Sequence, residues 1–107
     1  MVTAPTYYTM DGATLPALFW AFEQFGLQRD IDYHYPHTRE EIDFVATEAK
    51  LLLRTTEKPE RLRGPDLAHL WMDEGRDSPK DAFDTSVPTI RQAGFPHHYH
   101  LTTTPAG

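Results

Sequence analysis

Five of the six histidines lie in two short stretches, His34 and His37, then His97, His98 and His100. Asp30 and Asp32 lead into the first. In an extended strand, residues two apart point the same way. Asp30, Asp32 and His34 therefore share one face, and His98 and His100 share another. Imidazole and carboxylate are good ligands for zinc or iron. If the two strands pair, Asp32, His34, His98 and His100 form a candidate metal site with room for water, suited to hydrolysis or oxygen chemistry. On any other reading the chain needs no cofactor. Alternating polar residues are also the ordinary wet face of a half-buried strand, and no helical HExxH or paired CxxC spacing occurs.

Other chemistry is thinly represented. The chain has no cysteine, which removes disulfides, thiolate metal sites and a cysteine nucleophile. The six glycines stand singly, so no glycine-rich phosphate loop is visible. Ser78 and Ser86 read as helix caps. Glu48-Ala49-Lys50 has a nuclease-like E-x-K spacing, but inside a helical pattern that sends the two side chains apart.

These groups must be carried by elements. Residues 1–10 read as a short extended segment, in which Thr6 to Thr9 favour a strand. Residues 15–25 read as a helix with Thr14 as cap and Gly26 as stop, burying Leu15, Leu18, Phe19, Phe22 and Phe25. Residues 30–35 read as a strand with Ile31, Tyr33 and Tyr35 inward, ended by Pro36. Thr38 to Glu41 form a capping box, and a helix over about 39–54 comes next, with Ile42, Val45, Ala46, Ala49, Leu52 and Leu53 as its stripe. Pro65 opens a short helix through Glu74 that buries Leu67, Leu70 and Trp71. Ser78 to Asp81 start one or two further turns, 87–93 form a short helix, and 97–103 a strand. The expected product is one helix-dominated α+β domain over 1–107, with three to five helices, a small antiparallel sheet and a frayed end at 104–107. The alternative is an irregular all-α domain with extended termini.

Some apolar groups fall off their stripes. Trp20 lies on the polar side of its helix, and Phe44 and Leu51 lie away from theirs. Exposed aromatics anchor partners, and an acidic rim that includes Asp30 and Asp32 favours a basic one. Trp20, Phe44, Leu51, Asp30 and Asp32 are therefore the candidate partner-binding residues. The leading functional expectation is a small acidic protein-interaction module: a regulator, inhibitor or accessory subunit that binds a protein or itself and is not an enzyme. The metal-binding reading is the first alternative.

A second alternative rests on SVPTIRQAGFPHHYHL, residues 86–101, which resembles the recognition-helix-plus-wing portion of phage excisionases and related winged-helix proteins. That resemblance implies Thr89 and Arg91 in the major groove and a wing strand along the backbone.

Composition bounds all three readings. The 107 residues suit one domain and carry a formal charge of −6. An acidic surface repels phosphate backbones, so nucleic-acid binding starts at a disadvantage. The apolar run Leu15 to Phe22 is far short of the ~20 residues a membrane span needs. No signal peptide is visible and cysteine is absent, which suits a cytoplasmic protein.

Overall fold

The computed structural model describes residues 1–36 and 40–103. His37, the first half of the capping box (Thr38 and Arg39) and the expected fraying at 104–107 lie outside that set. The strands are β1 (Val2–Ala4), β2 (Tyr33–His34), β3 (Glu41–Phe44), β4 (Lys50–Thr55), β5 (His69–Met72) and β6 (His98–Leu101). They form one sheet in the order β2-β3-β4-β1-β5-β6. β4, β1, β5 and β6 run parallel, while β2 and β3 are antiparallel additions on the β4 side.

This corrects the expected fold class. The chain is a sheet-dominated α/β structure, not helix-dominated α+β with a small antiparallel sheet, and not all-α. The largest error is the helix over 39–54. Its described part is a hairpin, in which Ile42 faces Leu51 and Asp43 faces Lys50. Glu, Ala, Lys and Leu carry high helix propensity, but tertiary context overrides it. β4 has neighbours on both edges and a layer on each face. Leu51-Leu52-Leu53 is thus the continuous apolar run of a strand buried on both sides. Glu48, with φ +58, turns the chain between the two strands. The expected helix through Glu74 is likewise β5; of the extended segment expected at 1–10, Val2–Ala4 form a strand, whereas Tyr7–Thr9 are helical with Thr6 as an extended N-cap. Of the expected helix at 87–93 only a 3-10 turn, Val87–Thr89, is present.

After β1 the chain forms α1 (Tyr7–Thr9), a π-helical turn (Met10–Thr14) and α2 (Leu15–Gln24). Leu15, Leu18, Phe19 and Phe22 of α2 cover one face of the sheet, packing on Val2, Tyr33, Ile42 and Leu53. Phe22 meets Tyr33 and Phe44 edge-on at ring separations of 4.9 and 5.5 Å. The other face holds Leu62, Leu67, Leu70, Met72 and Ala82, covered by α3 (Lys80–Ser86). Apolar layers on both faces are what a largely parallel sheet requires. No helix among the described residues is long and apolar enough to cross a membrane.

Candidate functional site

The four parallel strands end level with one another. Ala4 pairs with Thr55, Thr3 with Met72, and Met72 with Leu101. The next residues along each strand, Thr56, Asp73, Glu74 and Thr102, therefore gather along one edge. The chain leaves β1 toward β4 by way of α2 on one face. It leaves β5 toward β6 by way of α3 on the other. Such a reversal opens a crevice outside the carboxyl ends of the strands, the usual ligand position in open α/β sheets.

Asp73 stands at this reversal. Its backbone N–H donates to the Thr3 carbonyl at 2.9 Å, which seats it beside β1. Thr14 Oγ1 donates to Asp73 Oδ2 at 2.6 Å. Thr102 Oγ1 and the Glu74 N–H donate to Oδ1 at 2.8 and 3.0 Å. Trp71 Nε1 donates in turn to Thr102 Oγ1 at 2.8 Å, so β5 and β6 hold the carboxylate jointly. Glu74 takes a left-handed conformation, φ +50. For a non-glycine residue this costs about 1 kcal/mol or more and recurs at functional sites. Asp30, Glu40 and Glu48 share that conformation, so the strain gains meaning only from the carboxylate beside it. Gly75 comes next with its amide on the Thr102 carbonyl, and a Cβ there would collide with Leu101 Cδ1. The glycine leaves room for the Leu101 side chain against this turn.

None of these residues was a sequence-based candidate. Thr14 was expected to cap α2; it makes no cap hydrogen bond and serves Asp73 instead. The overlooked signal is HLWM with two acids directly after it, a short apolar strand that delivers carboxylates to the end of a sheet. Pro65 made the same residues look like a helix.

The expected metal set does not converge. Asp32 and His34 belong to the β2 edge and His98 and His100 to β6, the opposite edge. Asp32 Oδ2 accepts the Gln28 N–H at 2.6 Å, and Asp30 lies 3.8 Å from His34 Nδ1. Both acids hold the turn before β2. His98 and His100 lie beside His69, with the His69 and His100 rings stacked at 4.9 Å and 15°. Stacked rings do not aim their nitrogens at one point. Among the described residues no group of three or more His, Cys, Asp or Glu is arranged to hold a metal ion. Burial, then the two neighbouring imidazoles, lowers the His69 pKa below its ordinary 6.5.

Of the partner-binding candidates, Trp20 is 64% exposed, whereas Phe44 and Leu51 pack against the core under α2. Thr89 is buried and donates to the Ser86 carbonyl, and Arg91 pairs with Asp66. A groove of about 800 Å³ lies between the Pro59–Leu62 turn and α3, lined by Glu60, Arg63, Asp81 and Asp84 among others. Its lining includes none of Thr14, Asp73, Glu74 or Thr102. We weight the carboxylate edge above it, because there the polar groups converge.

No protein-family model and no curated protein matches the chain. Solved structures do. A large terminase from a thermophilic bacteriophage superposes with a TM-score of 0.77 at 13% identity, over 99% of this chain and 26% of that one. The same terminase in complex with ADP gives 0.69 at 14%, over 99% and 25%. The ATPase domain of a Thermus phage large terminase gives 0.58 at 17%, over 99% and 47%. The chain thus spans a quarter to a half of the proteins it resembles, and the likeness is one of fold. It corrects the leading functional expectation. A regulator or accessory subunit was inferred from the lack of a catalytic signature, and the winged-helix alternative from 16 residues. The fold is instead one that also occurs within large terminases, with Asp73 and Glu74 at the carboxyl ends of its parallel strands.

Proposed function

We propose that these residues form the metal- and water-handling part of a nucleoside-triphosphate-hydrolysing domain. One observation carries the reading: Asp73 and Glu74 follow directly on β5 at the strand-order reversal, with Asp73 held by three donors. An apolar strand ending in such an acid has the form of the Walker-B strand of P-loop NTPases, whose Asp holds Mg²⁺. The similarity to an ADP-bound terminase and to a terminase ATPase domain supports it.

The donor set suits magnesium. That ion is usually held by one or two carboxylates plus substrate phosphates rather than by an all-protein cage. We assign Asp73 to the ion and Glu74 to orienting a water or accepting its proton. When bound, magnesium neutralises charge on the phosphates. The 107 residues include no glycine-rich phosphate loop, so the grip on the phosphates comes from outside them. β6 forms the edge of the sheet and can accept a further strand from elsewhere in the protein, from a second copy or from another protein. With a net charge of −6, direct contact with nucleic-acid phosphates is not part of the reading. A cytoplasmic setting is.

Manganese is the probe, through its relaxation of water protons. Wild type is expected to bind it and Asp73→Asn to lose most of that binding. Equal binding by the two proteins rules out Asp73 as the ligand.

A further inference from the structure

Thr14 lies 59 residues from Asp73 in sequence and is fully buried. A threonine inside a helix commonly turns its hydroxyl back to the carbonyl four residues earlier. Here the hydroxyl leaves the helix and donates to Asp73 Oδ2 at 2.6 Å. The cause is local. Met10–Thr14 form a π-helical turn, closed by the Leu15 N–H on the Met10 carbonyl. One extra residue in a turn rotates the succeeding helix by about 100° relative to α-helical register. The turn thereby joins the Leu15 face of α2, which packs on the sheet, to a Thr14 that reaches the end of β5. Short π-helical insertions of this kind are frequent at functional sites.

Counting acceptors shows what this contact does. An ionised carboxylate offers about four lone-pair sites, two on each oxygen. Thr102 and the Glu74 N–H occupy both on Oδ1, and Thr14 occupies one on Oδ2. One remains, on Oδ2, and the Thr14 bond sets its direction.

We infer that Thr14 is a positioning residue for Asp73, directing the single remaining Oδ2 acceptor at a divalent cation or its bound water. The inference rests on the reading of Asp73 given above. It makes Asp73 a one-oxygen ligand and ties the cation to the π-helical turn and through it to α2. Partners that orient a metal ligand typically alter affinity about 10–100-fold when removed.

The test measures Mn²⁺ affinity of the 107-residue chain by water-proton relaxation. Thr14→Val keeps the shape and removes the hydroxyl; Thr14→Ala does the same with a smaller side chain should Val not fold; Thr14→Ser keeps the hydroxyl. The expected result is at least a ~10-fold loss in Val or Ala and affinity within about 2-fold of wild type in Ser. A hydroxyl-free variant that folds and binds Mn²⁺ like wild type overturns the role of Thr14 while leaving Asp73 as ligand. So does a Ser variant as weak as Val, since shape rather than the hydroxyl would then matter. Wild type that binds no Mn²⁺ refutes the reading of Asp73 itself.

Discussion

Replacing Asp73 separates two views of this carboxylate. A ligand acid held near a second acid often destabilises its fold, and its removal then raises stability. The geometry here points the other way, because Asp73 accepts three hydrogen bonds. Water can take over two of the donors, since Thr102 is exposed and Glu74 half-buried. It cannot reach Thr14, which is fully buried. Asp73→Ala therefore strands a buried hydroxyl, at about 1–3 kcal/mol, and loses charge-assisted bonds besides. We expect a total loss of ~2–3 kcal/mol. With a urea m-value of about 1–2 kcal/mol/M, the midpoint falls by roughly 1–3 M. Asp73→Asn keeps the volume and one oxygen. Its amide can donate to Thr14 while the oxygen serves Thr102 and the Glu74 N–H, so only charge assistance is lost, about 1 kcal/mol. Adding Thr14→Val to Asp73→Ala removes the stranded hydroxyl and should cost nothing further, whereas Thr14→Val alone should destabilise. That coupling is measurable by a double-mutant cycle. An Asp73→Ala protein as stable as wild type, or additive Asp73 and Thr14 effects, refutes the network.

The packing and the histidines give two further expected outcomes. Phe44→Ala removes a ring held against Phe22 and Tyr33 and should cost about 3 kcal/mol by urea unfolding. Trp20→Ala, on the exposed side of α2, should stay within about 0.5 kcal/mol of wild type; the reverse order contradicts the placement of α2. The lowered pKa of His69 means that the unfolded chain takes up this proton before the folded one does. Its contribution is therefore fully present above pH ~6.5 and is lost as pH falls from there through the lower folded-state value. His69→Gln should flatten the fall in unfolding free energy with pH in that window, and an unchanged profile removes His69 as its source.

The sequence exposed some of this structure and hid the rest for physical reasons. α2 was legible because one side of it faces the sheet and the other faces water, so its period survives in Leu15, Leu18, Phe19 and Phe22. β6 was legible because it alternates at an edge. β4 and β5 lie inside the sheet, and burial on both faces erases the alternation that marks a strand. Leu51-Leu52-Leu53 fits a helix equally well, and Glu48 in the turn adds helix-favouring composition. The candidate site was hidden for a different reason. Asp73 and Thr14 meet only because β1 and β5 are neighbours, a pairing of residues 2–3 with 71–72 that no local pattern encodes. The histidine stretches drew notice because their residues are chemically conspicuous, yet the strand order sends them to opposite edges of the sheet.

The most direct measurement is a residue-by-residue map of Mn²⁺ broadening in the ¹⁵N-labelled chain, with and without ADP. Signals at Asp73, Glu74, Gly75, Thr102 and Thr14 are expected to broaden first. Broadening that centres on His69, His98 and His100, or that spreads without a focus over the acidic surface, contradicts a cation site at Asp73.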